Sequence, residues 1–237
     1  MNFLFLDVEA TGLDVEDRLL QVAYKYNSRI ENALFKPPVP IKIAAMAIHH
    51  VTEKMVADKP AFIESPEFTD LTNLSNQGIV LIAHNAPYDL AMLKKEGISF
   101  PLFIDTLKVA KFLDDGQFEN HQMQYLRYYY GIELEATAHD ALGDILVLEQ
   151  VTAKLSADLA KKENLEGVDI TNRMIEISLL PILIKVCNWK QHKGKTWEWV
   201  TQNDRGLVEW GLKKQMEKPE AERDHDLVYT FKHYLGV

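Results

Sequence analysis

Two short apolar runs, each leading into a corner that carries acids, constrain this chain more than any other feature. The first, Asn2-Phe3-Leu4-Phe5-Leu6, runs into Asp7-Val8-Glu9. The second, Ile79-Val80-Leu81-Ile82-Ala83, is entered through Gly78 and runs into His84-Asn85-Ala86-Pro87-Tyr88-Asp89. Both read as buried strands ended by polar residues. Further strands are expected at Leu19 to Tyr26, at Asn32 to Phe35 and at Phe103-Ile104. Helices are expected at Ala44 to His50, Pro87 to Lys95, through Phe112, at Gln122 to Tyr130 and from Asp140 to about Lys162. Gly97 and Gly131 stop two of them, and Leu142, Ile145, Leu146, Leu148 and Val151 form the buried face of the last. Strands first, then strand–helix alternation, predict an α/β sandwich with a mixed sheet.

Composition narrows the class. The 237 residues are enough to bury a core without staples. The single cysteine, Cys187, excludes an intramolecular disulfide framework and a cysteine-based zinc site, and fits a reducing compartment. No stretch approaches the roughly 20 apolar residues of a membrane span, and Asp7 ends the first run short of a signal-peptide core. The expectation is a soluble, cytoplasmic protein with no membrane partner. A net charge of -9 argues against a general nucleic-acid coat. Between Pro181 and Met216, however, seven basic residues face three acidic ones, against 19 and 32 in the rest.

Asp158 to Val168 is charged and polar and reads as a linker. The expected division is residues 1–168 and a small, mainly helical C-terminal extension at 169–237. Within the extension, helices are expected at Thr171 to Ile184, Arg205 to Met216 and Ala221 to Tyr234. The run Asn188 to Lys195 reads as a polar turn. Its Lys190, Lys193 and Lys195, interleaved with Trp197 and Trp199, are candidate contacts to phosphates and bases. The rival reading is a helical cap with core tryptophans and solvated lysines.

Residues i and i+2 of a strand share a face, so Asp7 and Glu9 can converge on one cation. Asp89 falls in the first turn of the next helix. A third segment, His139-Asp140-Ala141-Leu142-Gly143-Asp144, puts a histidine before the long helix and an acid on its first turns. Each acid alone reads as an ordinary strand end or helix N-terminus. Together, four acids on three segments suit Mg²⁺ or Mn²⁺, which prefer carboxylate oxygens. Two such ions can clamp both oxygens of an in-line phosphoryl displacement, and a neutral histidine can serve as base. Those parts read as phosphodiester hydrolysis.

The segments Phe5 to Leu13, Ala83 to Asp89 and His139 to Asp144 together resemble the three motifs of the DEDDh, or DnaQ-like, 3'–5' exonucleases, in order. Ala45 to Pro60, His192 to Lys195 and Thr230 to Leu235 are similar to the bacterial exodeoxyribonuclease X group of that family. Trp189-Lys190-Gln191 stands where that group carries a Gly-Lys turn. The resemblance implies an RNase H-like fold and two divalent cations, Mg²⁺ or Mn²⁺, on Asp7, Glu9, Asp89 and Asp144. It implies His139 as general base and, as substrate contacts, Thr11, Gly12, Leu13, His49 and Asn85. The partner it implies is DNA with a free 3' end. RNA trimming by the same chemistry, and a subunit docking a DNA polymerase or repair complex, stand as alternatives.

Overall fold

The computed structural model describes residues 2–134 and 141–237. His139 and Asp140 therefore lie outside the described residues. Two compact units emerge, one of residues 1–106 and 123–154, the other of residues 107–122 and 155–237. Among the described residues no helix is long and apolar enough to cross a membrane.

The first unit is built on five strands, β1 (Phe3–Ala10), β2 (Leu19–Tyr26), β3 (Arg29–Leu34), β4 (Val80–Ala83) and β5 (Phe103–Asp105), in the order β3-β2-β1-β4-β5. β1 pairs antiparallel with β2 and parallel with β4, β2 is antiparallel to β3, and β4 is parallel to β5. This is the expected mixed sheet. β1 runs four residues past the expected end because β2 supplies a partner as far as Ala10, opposite Leu19. Asp7 and Glu9 thus lie inside the strand. β3 begins three residues earlier than expected; its Arg29 and Glu31 are polar, as an edge strand tolerates, and pairing with β2 alone defines it.

Alternation along β1 sends Leu4, Leu6, Val8 and Ala10 into one buried layer and leaves Phe3, Phe5, Asp7 and Glu9 half-buried on the other face. The first layer packs on α3 (Pro66–Ser75) and α4 (Ala86–Lys95) through Leu71, Leu74, Met92 and Leu93. Tyr24, opposite Leu6, donates its hydroxyl to Asp70 of α3 at 2.6 Å. On the other face Lys25, opposite Phe5, reaches Glu149 of α7 (Ala141–Glu163) at 2.6 Å. The sheet is therefore covered by helices on both sides, the RNase H-like arrangement expected. Ahead of α3 lie α1 (Ile43–His49) and the short α2 (Glu53–Val56). Ser65 caps α3, its Oγ accepting from the Phe68 amide, and Pro66 opens it. Gly78 turns into β4 at φ +66°, a conformation that favours glycine.

The second unit takes in most of α5 (Thr106–Leu113), together with α8 (Val168–Leu179), α9 (Trp197–Asn203), α10 (Arg205–Met216) and α11 (His225–Leu235). α8 stops five residues before the expected Ile184, with Pro181 two residues past its end. α9 was not expected. Thr196 caps it, and Trp197 turns inward to pack with Cys187, Val200, Val208, Phe231 and Leu235. Gly211 on α10 is there for space: a Cβ would stand 2.6 Å from Trp189 and 2.9 Å from Phe231. α6 (Met123–Tyr129) belongs to the first unit.

Candidate active site

β4 pairs with β1 only from Phe3 to Phe5. Beyond Phe5 the β4 side of β1 has no strand partner, and a main-chain amide there needs an acceptor. Asp89 supplies it: the Val8 amide donates to its Oδ1 at 3.0 Å. The first turn of α4 thereby lays its carboxylate against the stretch of β1 between Asp7 and Glu9. Asp89 is 3% exposed. Burial and the neighbouring Asp7 push it well above the usual carboxylate range, against the pull of the Val8 amide.

Asp144 approaches from the opposite layer. Glu149 of α7 is tied to Lys25 beside Phe5, and Asp144 lies five residues earlier, about 7.5 Å along the helix axis. Its charge reaches both acids of β1. Asp7 is pushed up to about 8, first by burial, then by Glu9 and Asp144. Glu9 is pushed up to about 7 by burial and Asp144. Four acids from a strand, α4 and α7 thus share one electrostatic neighbourhood in which ionising all of them is opposed.

Among the described residues, no three of the histidines, cysteines and acids are gathered tightly enough to enclose a metal ion as they stand. Asp89 turns one oxygen to Val8, and Asp144 turns one to Gln124, whose Nε2 donates to Oδ1 at 2.7 Å. The donor set is nevertheless one of hard carboxylate oxygens that repel one another, which suits a divalent cation.

The loop after β1 is held from within. Asp17 accepts from the Thr11 hydroxyl at 2.9 Å, from the Asp14 amide at 2.7 Å and from Lys42 Nζ at 2.6 Å. Lys95 Nζ caps the carbonyls of Asp14 and Asp17, both at 2.9 Å. Thr11 is fully buried, its hydroxyl also accepting from the Arg18 amide, so its side chain serves the loop. Gly12 is obligatory because a Cβ would lie 2.5 Å from Asp17 Oδ2 and 2.7 Å from the Lys42 stem. From this clamp Leu13 projects outward, 81% exposed.

His49 ends α1 almost wholly buried. Its Nδ1 accepts from the Val51 amide at 3.0 Å, which puts the ring proton on Nε2. That Nε2 is buried and makes no hydrogen bond of good geometry among the described residues; burial lowers the ring's basicity, and the Ala10 backbone beside it pulls the other way. Asn85 is exposed at the N-cap of α4, φ +73°, with no capping bond from its side chain. Its main-chain N–H donates to Asp105 Oδ1 at 3.0 Å.

The structure thus brings Asp7, Glu9, Asp89 and Asp144 into one neighbourhood, and His139 lies outside the described residues. Lys190, Lys193 and Lys195 stand exposed on the turn between Cys187 and Thr196 in the second unit. Sequence reasoning missed Gln124, which carries no motif signal on its own. It also passed over Tyr88, whose hydroxyl is pushed up by burial and by Glu9, Asp89 and Asp7.

The model of the exonuclease family, RNase_T, matches residues 4–152. A DNA polymerase III subunit epsilon-like protein of Rhodobacter capsulatus is 31% identical over 172 residues, covering 65% of this chain. The chain spans only 24% of that protein's length. Exodeoxyribonuclease 10 of Escherichia coli K12 is 29% identical over 204 residues, covering 85% of this chain and 83% of its own. A solved structure of exonuclease X in complex with 5' overhanging duplex DNA aligns with a TM-score of 0.54 at 26% identity, covering 74% of this chain and 99% of that one. With residues 4–152, more than half its length, matched by the exonuclease family, this chain belongs to the DEDDh, or DnaQ-like, exonucleases.

Proposed function

We propose that the chain is a 3'–5' exonuclease that hydrolyses the terminal phosphodiester of DNA and releases 5'-mononucleotides. The observation that carries this reading is the convergence of Asp7, Glu9, Asp89 and Asp144 from three segments, where burial and neighbouring acids raise the proton affinity of Asp7, Glu9 and Asp89. These four residues would hold two divalent cations, Mg²⁺ or Mn²⁺. When bound, such ions supply positive charge to the scissile phosphate and the leaving 3' oxygen.

The chain's own groups do the rest. His139 would take the proton of the attacking water. Leu13, fixed by the Asp17 clamp with Thr11 and Gly12 shaping the turn, would press on the terminal base. The Nε2–H of His49 and the exposed amide of Asn85 would bind the terminal nucleotide. Lys190, Lys193 and Lys195 of the 169–237 extension would hold DNA beyond it. Relatives named as polymerase epsilon subunits favour a second reading, a nuclease docked on a DNA polymerase. Co-purification with a polymerase subunit tests it.

The direct experiment is a time course on a 5'-labelled oligonucleotide with Mg²⁺, with EDTA, and with His139→Ala. The expected result is a metal-dependent ladder shortening from the 3' end and lost in the variant. A matched RNA strand cut faster than DNA would move the substrate to RNA. A folded protein that cuts neither under any divalent ion would sink the reading.

A further inference from the structure

The second unit spends its cations unevenly. Lys108 pairs with Asp226, Lys162 and Lys185 with Asp115, Arg173 with Glu163, Arg205 with Glu209, and Lys214 with Glu217. Lys190, Lys193 and Lys195, like Lys111, Lys161, Lys213, Lys218 and Lys232, are in no salt bridge among the described residues, but only these three stand together on one eight-residue turn. Like charges crowded together without an acid cost stability unless something anionic offsets them.

The turn is also rigidly built. Val186 and Thr196 bridge its base. Across it the Cys187 amide donates to the Lys195 carbonyl at 2.7 Å and the Gly194 amide to the Cys187 carbonyl at 2.9 Å. Gly194 sits at φ +84°, where a side chain would strain the backbone. Trp189 and Trp197 anchor the turn in the unit's core. The lysines are therefore presented on a fixed scaffold.

Beside them is an exposed indole. Trp197 is fully buried, but Trp199, two residues on, is 39% exposed. Lys195 Nζ lies 5.3 Å from its ring centre and the His192 ring 5.7 Å away. His192 is held in turn by Asp204 at 2.9 Å. An ammonium group next to an exposed indole matches a nucleotide's two faces, phosphate for the one and base for the other.

We infer that the Lys190–Lys195 turn and Trp199 form a separate binding surface for single-stranded nucleic acid, which grips the strand through phosphates and one stacked base. The inference rests on the nuclease reading only for its purpose, which is to keep the strand on the protein between successive cleavages. The exonuclease family model matches only residues 4–152, and this surface lies beyond that match.

The test uses the full chain in EDTA, so that no strand is cut. Binding of a labelled oligothymidylate is followed by fluorescence anisotropy across a salt series. The triple variant Lys190→Glu/Lys193→Glu/Lys195→Glu should lower the salt slope by about 2, since each phosphate contact contributes roughly 0.7. Trp199→Ala should weaken binding roughly 5- to 150-fold and leave the slope alone. A control triple, Lys161→Glu/Lys218→Glu/Lys232→Glu, changes the net charge equally and should change binding little. With Mg²⁺, the loop variant should raise KM and spare kcat.

An unchanged slope in the loop variant, or an equal loss in the control, overturns the inference. So does a blunt duplex that binds as tightly as the single strand, or anionic vesicles that bind through the same residues while the oligonucleotide does not. Equal binding of RNA and DNA supports it. A chain that binds strands through this turn yet never cuts them would defeat the nuclease reading and leave this surface standing.

Discussion

The two units treat charge in opposite ways. The sheet unit crowds four acids together, with burial and repulsion raising their proton affinity. The helical unit pairs six of its cations with nearby acids and gathers three lysines that are in no salt bridge among the described residues on one turn. A fold gains nothing from uncompensated like charges. Where they persist on a rigid frame, a partner of opposite sign is the natural candidate to offset them. The difference teaches where to look: for cations at the sheet unit, for a polyanion at the helical one.

The largest effect is expected from Asp89→Asn, which can keep the Val8 hydrogen bond and remove the charge. Catalytic turnover should fall by more than about 100-fold, beyond what losses outside a ligand set produce. The metal-free protein should melt no lower than wild type, as measured by calorimetry in EDTA. A large loss of stability would mean that the acid serves the fold, and the contrast between the units would collapse.

Next comes Gln124→Met, which removes the donor to Asp144 at constant length. A 10- to 100-fold rise in the Mn²⁺ needed for half-maximal stabilisation is expected, on the scale of lost support to a ligating carboxylate. Thermal shift without DNA measures it, and an unchanged titration would show that Gln124 is a bystander.

Gly12→Ala forces a methyl into Asp17 and the Lys42 stem, and overpacking of this kind costs about 1–3 kcal/mol. Chemical denaturation reads that cost. If the loop positions Leu13, the ratio of cutting at paired and unpaired 3' ends should shift as well.

The Asp17 clamp also has a pH signature. Burial pushes its carboxyl up, but Lys42, the Asp14 amide and Thr11 outweigh it and hold it below 3.8. A folded value below the unfolded one gives stability that is present above pH 3.8 and lost as pH falls through the folded value. The melting difference between wild type and Asp17→Asn should therefore close in acid. A constant difference would mean that the clamp works through shape alone.

The smallest effect is assigned to Lys214→Ala, which breaks an exposed pair with Glu217 on α10 and should cost less than about 1 kcal/mol. Strand binding should not change, in contrast to the unpaired lysines of the turn.

The sequence made the sheet legible where apolar periodicity was strong. β2 was read at its observed bounds, and α10 likewise, with Met216 as its last residue. β3 was blurred because an edge strand of Arg29, Glu31 and Asn32 owes its existence to pairing with β2. The four acids drew attention in the sequence because Asp7 and Glu9 share a face of the first strand and Asp89 and Asp144 fall in the first turns of helices. Gln124 was not, because its role exists only once α6 and α7 are neighbours. In the tail, sequence could not tell which tryptophan was core. Capping by Thr196 decided it, sending Trp197 inward and Trp199 outward.

The hydrogen bond from the Val8 amide to Asp89 makes β1 a ruler for α4. The strand's backbone measures the reach of the helix's acid, and its unit is one methylene. A glutamate at position 89 would keep the charge and overshoot the mark, displacing either the amide contact or the oxygen facing Asp7. Chemistry that tolerates many side chains around it would in this way still distinguish two acids that differ by a single carbon.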